Sequence, residues 1–240
     1  MTQPHRSIRQ FTTEKLTDAE ISDLIDVAQH TATSHYLQSM SVIHITDPHL
    51  RAAIAGISKQ QYINQNGELF IFIADQYRAS LSAAPGHHLG SFDKFLQAAS
   101  DALLATQNVV TAAEAKGFGT VILGSILNDP KQLIDLLALP KFTFPICGLL
   151  VGHPDQTPQL KPRLPQATVF FENTYALPSD YDQQLAAYDD IIRDYYATRD
   201  TNRREETFSH LLAASAAVTP AKRSELFAAV KAQGFLSAGY

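Results

Sequence analysis

Strand and helix patterns that alternate as far as residue 151, followed by helical patterns, predict a layered α/β domain with a helical C-terminal arm packed over it. Three observations carry this prediction. Apolar runs of strand length recur at 41–46, 69–74, 120–123 and 146–151. Apolar residues at helical spacing separate them. A proline-rich stretch at 154–165 then breaks the pattern, and aromatic and acidic helical sequence follows.

The elements can be justified in order. Thr17 and Glu20 form a capping box ahead of Ile21, Leu24, Ile25 and Ala28, which share one helical face. SVIHIT at 41–46 is β-branched, and Asp47-Pro48 then opens a helix with Leu50, Ile54 and Ile57 inward. LFIFIA at 69–74 is apolar without alternation, as in a strand buried on both faces. Residues 92–116 give the longest helical pattern, rich in alanine and capped by Gly117 and Gly119. A strand at 120–123 ends at the permissive Gly124-Ser125, and Asn128-Asp129-Pro130 opens the next helix. The arm holds a helix at 180–199 with Tyr181, Tyr188, Tyr195 and Tyr196. A polar loop at 200–206 and two more helical stretches follow, the second at 220–233.

The 240 residues fit one large domain or two small ones, and 45% hydrophobic with 18% charged residues is a globular mix. Nineteen Lys and Arg against 24 Asp and Glu leave a net charge of -5, which argues against a phosphate-backbone partner. The single cysteine, Cys147, lies in an apolar run and suits a buried position in a reducing compartment. No basic-then-apolar leader opens the sequence, and the longest uncharged apolar run, 142–152, is too short to span a bilayer. A cytoplasmic protein without a membrane or nucleic-acid partner is expected.

Two basic clusters carry the candidate chemistry. His5-Arg6-Ser7-Ile8-Arg9 precedes the first helix, and Lys161-Pro162-Arg163-Leu164-Pro165 holds two cations between prolines that fix φ. Charge-assisted bonds to a phosphate contribute about 1.5–3 kcal/mol each, so three or four could supply most of the ~8 kcal/mol of micromolar binding. Each cluster alone also reads as solvated surface charge, and their spacing does not show that they meet. The run Gly117 to Ser125 fails as a dinucleotide loop, because Ile122 stands where the third glycine belongs and a helix precedes it. Its Gly124 would still let backbone approach a flat ligand. His87-His88 lack Cys or carboxylate partners at ligand spacing, so no metal is expected. Hydrolase elbows and phosphate-binding P-loops are absent.

These residues, taken as an ordered set, resemble the oxygen-insensitive nitroreductase and flavin reductase family, in its larger NADPH-preferring branch. His5 to Phe11 resembles the family's H-R-S-I-R-x-F, and Thr33 to Gln38 its Ser-rich segment ending in Leu-Gln. Gln60 or Gln61 before Tyr62 matches a third motif, and 105–119 is similar to its A-x-Q-N-x-x-x-A-A-E-x-x-G-x-G helix. Phe144-Pro145 to Gly152, Lys161 to Pro165, Glu172-Asn173, Tyr188-Asp189, Tyr195-Tyr196 and Arg203-Arg204 follow in the family's order.

The resemblance implies an α+β, three-layer α-β-α sandwich around a mixed, mainly antiparallel sheet. It implies a single FMN-binding domain over 1–240, with a C-terminal helical extension from about 176, and an intertwined homodimer. Arg6 and Ser7, with Lys161 and Arg163, would grip the FMN phosphate, and His5 joins the cofactor-binding set. Arg9 would stand near the flavin N1–O2 edge as an electrostatic stabiliser. Gln60 and the backbone of Ile122, Leu123, Gly124 and Ser125 would contact the isoalloxazine ring, and Thr33 and Ser34 would hydrogen-bond the cofactor from the ribityl side or the other subunit. Arg199, Arg203 and Arg204 would take the NADPH 2′-phosphate, although an ordinary basic loop fits them equally; NADH remains an alternative donor. The implied activity is ping-pong hydride transfer through FMN N5 to nitroaromatics, quinones or free flavin, with no side-chain nucleophile. A dedicated FMN reductase, a non-catalytic flavin-binding protein and a helical interaction protein are the competing readings. The sequence departs from the family at Leu127 and Ser125, within its G-G-x-R-N stretch, and at Phe208, in the place of a Trp. The loss of a cation at Leu127 bears on acceptor preference.

Overall fold

The structure is a computed structural model that describes residues 4–200 and 202–236. The chain forms two compact units, Met1–Thr157 with Pro220–Tyr240, and Pro158–Thr219. The first unit contains α1 (Asp18–Gln29), β1 (Met40–Ile45), α2 (Pro48–Ser58), β2 (Glu68–Asp75), α3 (Tyr77–Ser80), α4 (Phe92–Ala115), β3 (Gly119–Leu123), α5 (Pro130–Leu136) and β4 (Thr143–Gly152). The second contains α6 (Tyr181–Thr198) and α7 (Phe208–Ala217), and α8 (Leu226–Ala232) returns to the first.

The strands form one sheet in the order β1-β2-β4-β3, with every neighbouring pair antiparallel. The one parallel pairing among the described residues is the isolated bridge of Ser7 to Thr120, outside the named strands and on the edge of β3. Side chains leave a strand on alternate faces, so β2 divides its apolar run between two cores. Leu69, Ile71 and Ile73 pack with Ile54 and Ile57 of α2 and Leu133 of α5. Phe70 and Phe72 pack with Leu24 of α1 and Ala102, Ala105 and Val109 of α4. Helices therefore cover both faces, which makes the predicted three layers. The alanines of α4 let its axis approach the sheet, and Ala98, Ala102, Ala105 and Ala113 are all 0% exposed.

Local signals explain most boundaries. The Thr17–Glu20 capping box forms in full, and Asp47, Ser91 and Asp129 cap α2, α4 and α5 through their side chains. Gly117 ends α4 with a φ of 85°. Gly119 is not part of that cap. It opens β3, where a Cβ would lie 2.8 Å from the Ile8 side chain, so the glycine makes room for the N-terminal segment. β4 starts earlier than its apolar run suggests, because Pro145 sits where the register with β2 slips between Phe72 and Ile73 and no regular ladder bond is required of it. The last helical stretch is shorter than the predicted 220–233, with a 3₁₀ turn at Arg223–Glu225 ahead of α8. Its Ala229 and Val230, with Phe235, form a third apolar cluster against Ile134 and Phe144.

Gly119→Ala is expected to destabilise the protein by about 1–3 kcal/mol through overpacking against Ile8. Gly124→Ala, with nothing within 4 Å of the added methyl, should stay within roughly 0.5 kcal/mol of wild type. Urea denaturation of the two variants checks the pair; equal effects would refute the close-packing role of Gly119.

Candidate functional site

The N-terminal segment is tied down at both ends. The Ile8 amide donates to the Thr120 carbonyl at 2.8 Å, and Phe11 bridges Pro154 with its ring buried. Ahead of these ties, His5 Nδ1 lies 2.6 Å from Glu114 Oε1 and its Nε2 lies 3.3 Å from Ser7 Oγ. The Thr120 hydroxyl donates to the same Glu114 oxygen at 2.8 Å, which fixes the carboxylate behind His5. Arg9 donates to the Ser7 carbonyl at 3.4 Å and lies over the Tyr62 ring, 5.9 Å from its centroid. Tyr62 belongs to the 3₁₀ turn Gln61–Asn64 that Gln60 opens, so Arg9 stands beside the turn of the predicted glutamine.

Arg6 is placed differently. It lines a cavity of about 180 Å³ with Ile8, Glu114, Phe118 and Gln156, and Ser7 is not among the lining residues. Its Nε is buried and has no hydrogen-bond partner. Consecutive residues of extended chain alternate sides, which separates Arg6 and Ile8 from His5 and Ser7.

At the end of β3 the apolar sheet opens. Ile122 is 41% exposed, Leu123 is buried, and Gly124 faces open space. The turn Gly124–Asn128 follows, and the C-terminal segment holds it: Arg223 Nη1 donates to the Gly124 carbonyl at 2.9 Å, while Lys222 pairs with Asp129. The Lys222 ammonium keeps the Asp129 carboxyl below the ordinary range. Leu127, where the family motif carries Arg, packs against two of the apolar cores. Arg223 was invisible to motif reasoning because it lies 99 residues from Gly124 in sequence.

The segment after α1 is built on a residue that the sequence did not single out. The Thr33 hydroxyl donates to Asp101 of α4 at 2.6 Å, and the Ser34 and Ser39 amides donate to the same carboxylate at 3.2 and 3.0 Å. Ser34 Oγ lies 3.2 Å from His35 Nδ1. Thr33, Asp101, Arg78 and His44 border a cavity of about 590 Å³ floored by Ile25, Val42 and Phe70.

In the second unit, Lys161, Arg163 and Leu164 line a cavity of about 510 Å³ with Tyr188, Tyr195, Tyr196 and Phe208. Phe208 meets Tyr188 edge to face at 5.2 Å, so a smaller aromatic fills the place of the family's Trp. The three loop arginines have unequal surroundings. Arg199 stands over both Tyr195 and Tyr196, 5.5 and 5.3 Å from their centroids. Arg204 stacks 4.0 Å from Tyr196 and bonds Glu206 at 3.1 Å. Arg203 is exposed, and among the described residues its guanidinium bonds only through Nε, to the Arg199 carbonyl at 2.8 Å. Glu206 also lies 2.6 Å from His210 Nδ1, and this bond, followed by that from Arg204, holds its carboxyl below the ordinary range.

Helices on both faces of an antiparallel sheet make this an α+β three-layer sandwich. The chain belongs to the nitroreductase family: the model for the nitroreductase family matches residues 3–153, and that for the family's C-terminal domain matches 161–238. It is 41% identical to an oxygen-insensitive NADPH nitroreductase of Salmonella typhimurium over 206 residues, covering 85% of each chain. It is 39% identical to an FMN reductase (NADPH) of Bacillus subtilis over 212 residues, again 85% of each. The structure of NfrA1 nitroreductase from B. subtilis superposes with a TM-score of 0.90 at 36% identity, covering 97% of this chain and 96% of the other. An NADPH:FMN oxidoreductase from Vibrio harveyi complexed with NAD+ superposes at 0.87 and 29% identity, with 97% and 96% covered.

The depressed Glu206 carboxyl makes the arginine loop acid-sensitive. Its stabilising effect is present above the ordinary carboxylate pKa, about 4.3, and is lost as pH falls through the lower folded value. Glu206→Gln should therefore melt below wild type at pH 7, and the gap should close as pH falls below about 4.3 and through the lowered folded value. Thermal melts across that range check this; a gap independent of pH would rule out the charge as its cause.

Proposed function

We propose that this protein is an FMN-dependent oxidoreductase that takes hydride from NADPH and delivers two electrons to nitroaromatics, quinones or free flavin. The observation that carries the reading is the edge of β3. There His5, Ser7 and Arg9 run along one strand margin beside the turn that Gln60 opens, in a chain of the nitroreductase family. Relatives named NADPH nitroreductase and FMN reductase (NADPH) support both the donor and the flavin.

The donor set fits FMN. Ser7 and Arg9 lie on the open margin of β3, whereas Arg6 Nε, buried and without a partner, faces the cavity beside Glu114 on the other side of the segment. Gly124 leaves open approach to backbone, and Ile122 offers an apolar contact. Bound FMN would supply the two-electron chemistry, and no side-chain nucleophile or metal is needed. Arg9 would offset negative charge at the ring's N1–O2 edge, with its position maintained by Tyr62 and the Ser7 carbonyl. Gln60 and residues 122–125 would face the ring, and Ser34 would contact the cofactor. Arg6, Ser7, Lys161 and Arg163 are assigned to the phosphate by the family pattern. NADPH preference is assigned to Arg199, Arg203 and Arg204, with Arg203 the least engaged elsewhere.

A homodimer is part of this reading. α4 is ordered over 24 residues, yet Phe92, Leu96, Leu103 and Leu104 are 60, 53, 52 and 52% exposed along it, an apolar stripe suited to a second copy. The single, buried Cys147, whose thiol burial pushes up, suits the cytoplasm. A dedicated FMN reductase is the second reading, favoured by the B. subtilis relative. The two differ in which acceptor gives the higher kcat/KM.

The purified protein is expected to show bands of bound oxidised flavin that bleach on anaerobic addition of NADPH. A colourless protein that neither binds nor reduces added FMN would overturn cofactor and function together. Lys161→Ala with Arg163→Ala should weaken FMN binding by at least about tenfold, the loss of one charge-assisted bond or more. Stoichiometric tight flavin in that variant would remove the phosphate assignment.

The arginine loop has its own test. Arg203→Ala should raise KM for NADPH several times more than KM for NADH, and Arg204→Ala should disturb the ratio less because its guanidinium is stacked and paired. Steady-state kinetics with both donors check this, and equal effects on the two donors would remove Arg203 from the 2′-phosphate.

A further inference from the structure

Asp101 belongs to no motif and is only 4% exposed, yet three donors from one segment converge on its carboxylate. Two come from the start of the segment, the Thr33 hydroxyl and the Ser34 amide, and one from its end, the Ser39 amide. Gln97, one turn earlier on α4, donates to the Ser34 carbonyl at 3.1 Å. The Thr33 hydroxyl oxygen accepts from the Gln38 amide at 2.9 Å, closing the segment on itself. The segment is thus fastened to α4 at both ends and braced across its middle.

What it holds is a backbone bent against its preferences. His35, Tyr36 and Gln38 take φ values of 52°, 61° and 52°, where side chains other than glycine rarely settle unless their surroundings impose it. The tip is also apolar and outward, with Tyr36 83% and Leu37 50% exposed. A loop that only connected α1 to β1 would need neither the strain nor the buried clamp. Strain held in place by its surroundings clusters at ligand clamps and switch regions, where it can be part of how the site works.

We propose that Asp101 is the positioning residue of the 33–38 segment. It draws Thr33 into the scaffold and presents residues 34–38 in the conformation that receives the flavin. The inference rests on the flavoenzyme reading and changes one part of it: the Thr33 hydroxyl is spent on Asp101, so Thr33 builds the loop and does not contact the cofactor. The requirement is for a carboxylate. The amide of Asp101→Asn keeps one acceptor oxygen and turns an NH2 toward at least one backbone amide donor, that of Ser34 or Ser39.

The test uses Asp101→Asn, Thr33→Val, Thr33→Ser and the double variant Asp101→Asn with Thr33→Val. Amide hydrogen exchange without flavin reports the clamp at Ser34 and Ser39. FMN titration by fluorescence quenching and the visible circular dichroism of bound FMN report its consequence. Asp101→Asn and Thr33→Val should each lose protection at those amides, weaken FMN by about tenfold and alter the dichroism. Thr33→Ser, which keeps the donor, should recover most of the affinity lost in Thr33→Val, and the double variant should be no weaker than the worse single one. Should Asp101→Asn fail to fold, the Thr33 pair carries the same comparison. Unchanged FMN affinity and dichroism in a variant whose Ser34 and Ser39 amides have lost protection would overturn the proposal, as would additive losses in the double variant. A wild-type protein that binds no FMN would overturn the flavoenzyme reading and this proposal with it, whereas a flavin-binding wild type with indifferent variants overturns this proposal alone.

Discussion

Burial of the sheet on both faces is the constraint on which the rest of the first unit depends. From Leu69 to Asp75 every residue of β2 is buried, and β4 is nearly as dry from Cys147 to Gly152. Each large aliphatic side chain placed there contributes about 1.5–3 kcal/mol, and an unsatisfied polar group would cost as much. Polar chemistry is therefore confined to the margins of the sheet and the ends of its strands. The N-terminal cations lie on the margin of β3, and the open glycine lies at its end. The basic segment reaches that margin only because Gly119 lets Ile8 sit against the strand.

Two charged groups that enter the interior, Arg51 and Asp101, are each bound several times over, and they shape segments beside the candidate site. Arg51 of α2 donates to the carbonyls of Ile63, Asn66 and Gly67 at 2.6, 3.1 and 2.7 Å. Burial lowers its pKa, and the three carbonyls compensate by gathering around the guanidinium. The turn so held is the one that presents Tyr62 to Arg9. Asp101 does for the segment after α1 what Arg51 does for the segment after α2. In both cases a charge of one sign, rooted in a helix of the sandwich, organises a loop that ordinary turn preferences would not specify.

This division explains what could be read from the sequence. Local signals were legible: capping residues, the period of α4, the continuous run of β2 and the cations flanked by prolines all act within a few residues of themselves. The three-layer arrangement came from the family pattern and is matched by the two cores. What escaped was long-range. Glu114 behind His5, Asp101 behind Thr33 and Arg223 on Gly124 join residues 109, 68 and 99 apart, and nothing near either partner announces the other. Pro145 misled in the opposite way, since a proline argues against a central strand unless a bulge excuses it. Gly119 read as a cap because a glycine's freedom of φ and its lack of a side chain look alike in sequence.

The turn after β3 is held from two sides, by the packing of Leu127 and by a cation from a distant segment. Here the turn carries a leucine that adds to two apolar cores, and the cation arrives from a distant segment as Arg223, with Lys222 and Glu225 pinning that segment to Asp129 and Lys131. A positive charge thus sits at the Gly124 carbonyl, anchored in the 3₁₀ turn Arg223–Glu225 that precedes α8. Two consequences follow from that geometry. The turn is stiffened by apolar packing on one side and by ion pairs on the other, so its backbone remains fixed without a side chain at Gly124. Its charge also depends on the docking of residues 220–225, which couples the end of β3 to a segment that the sequence alone would assign to a remote helix.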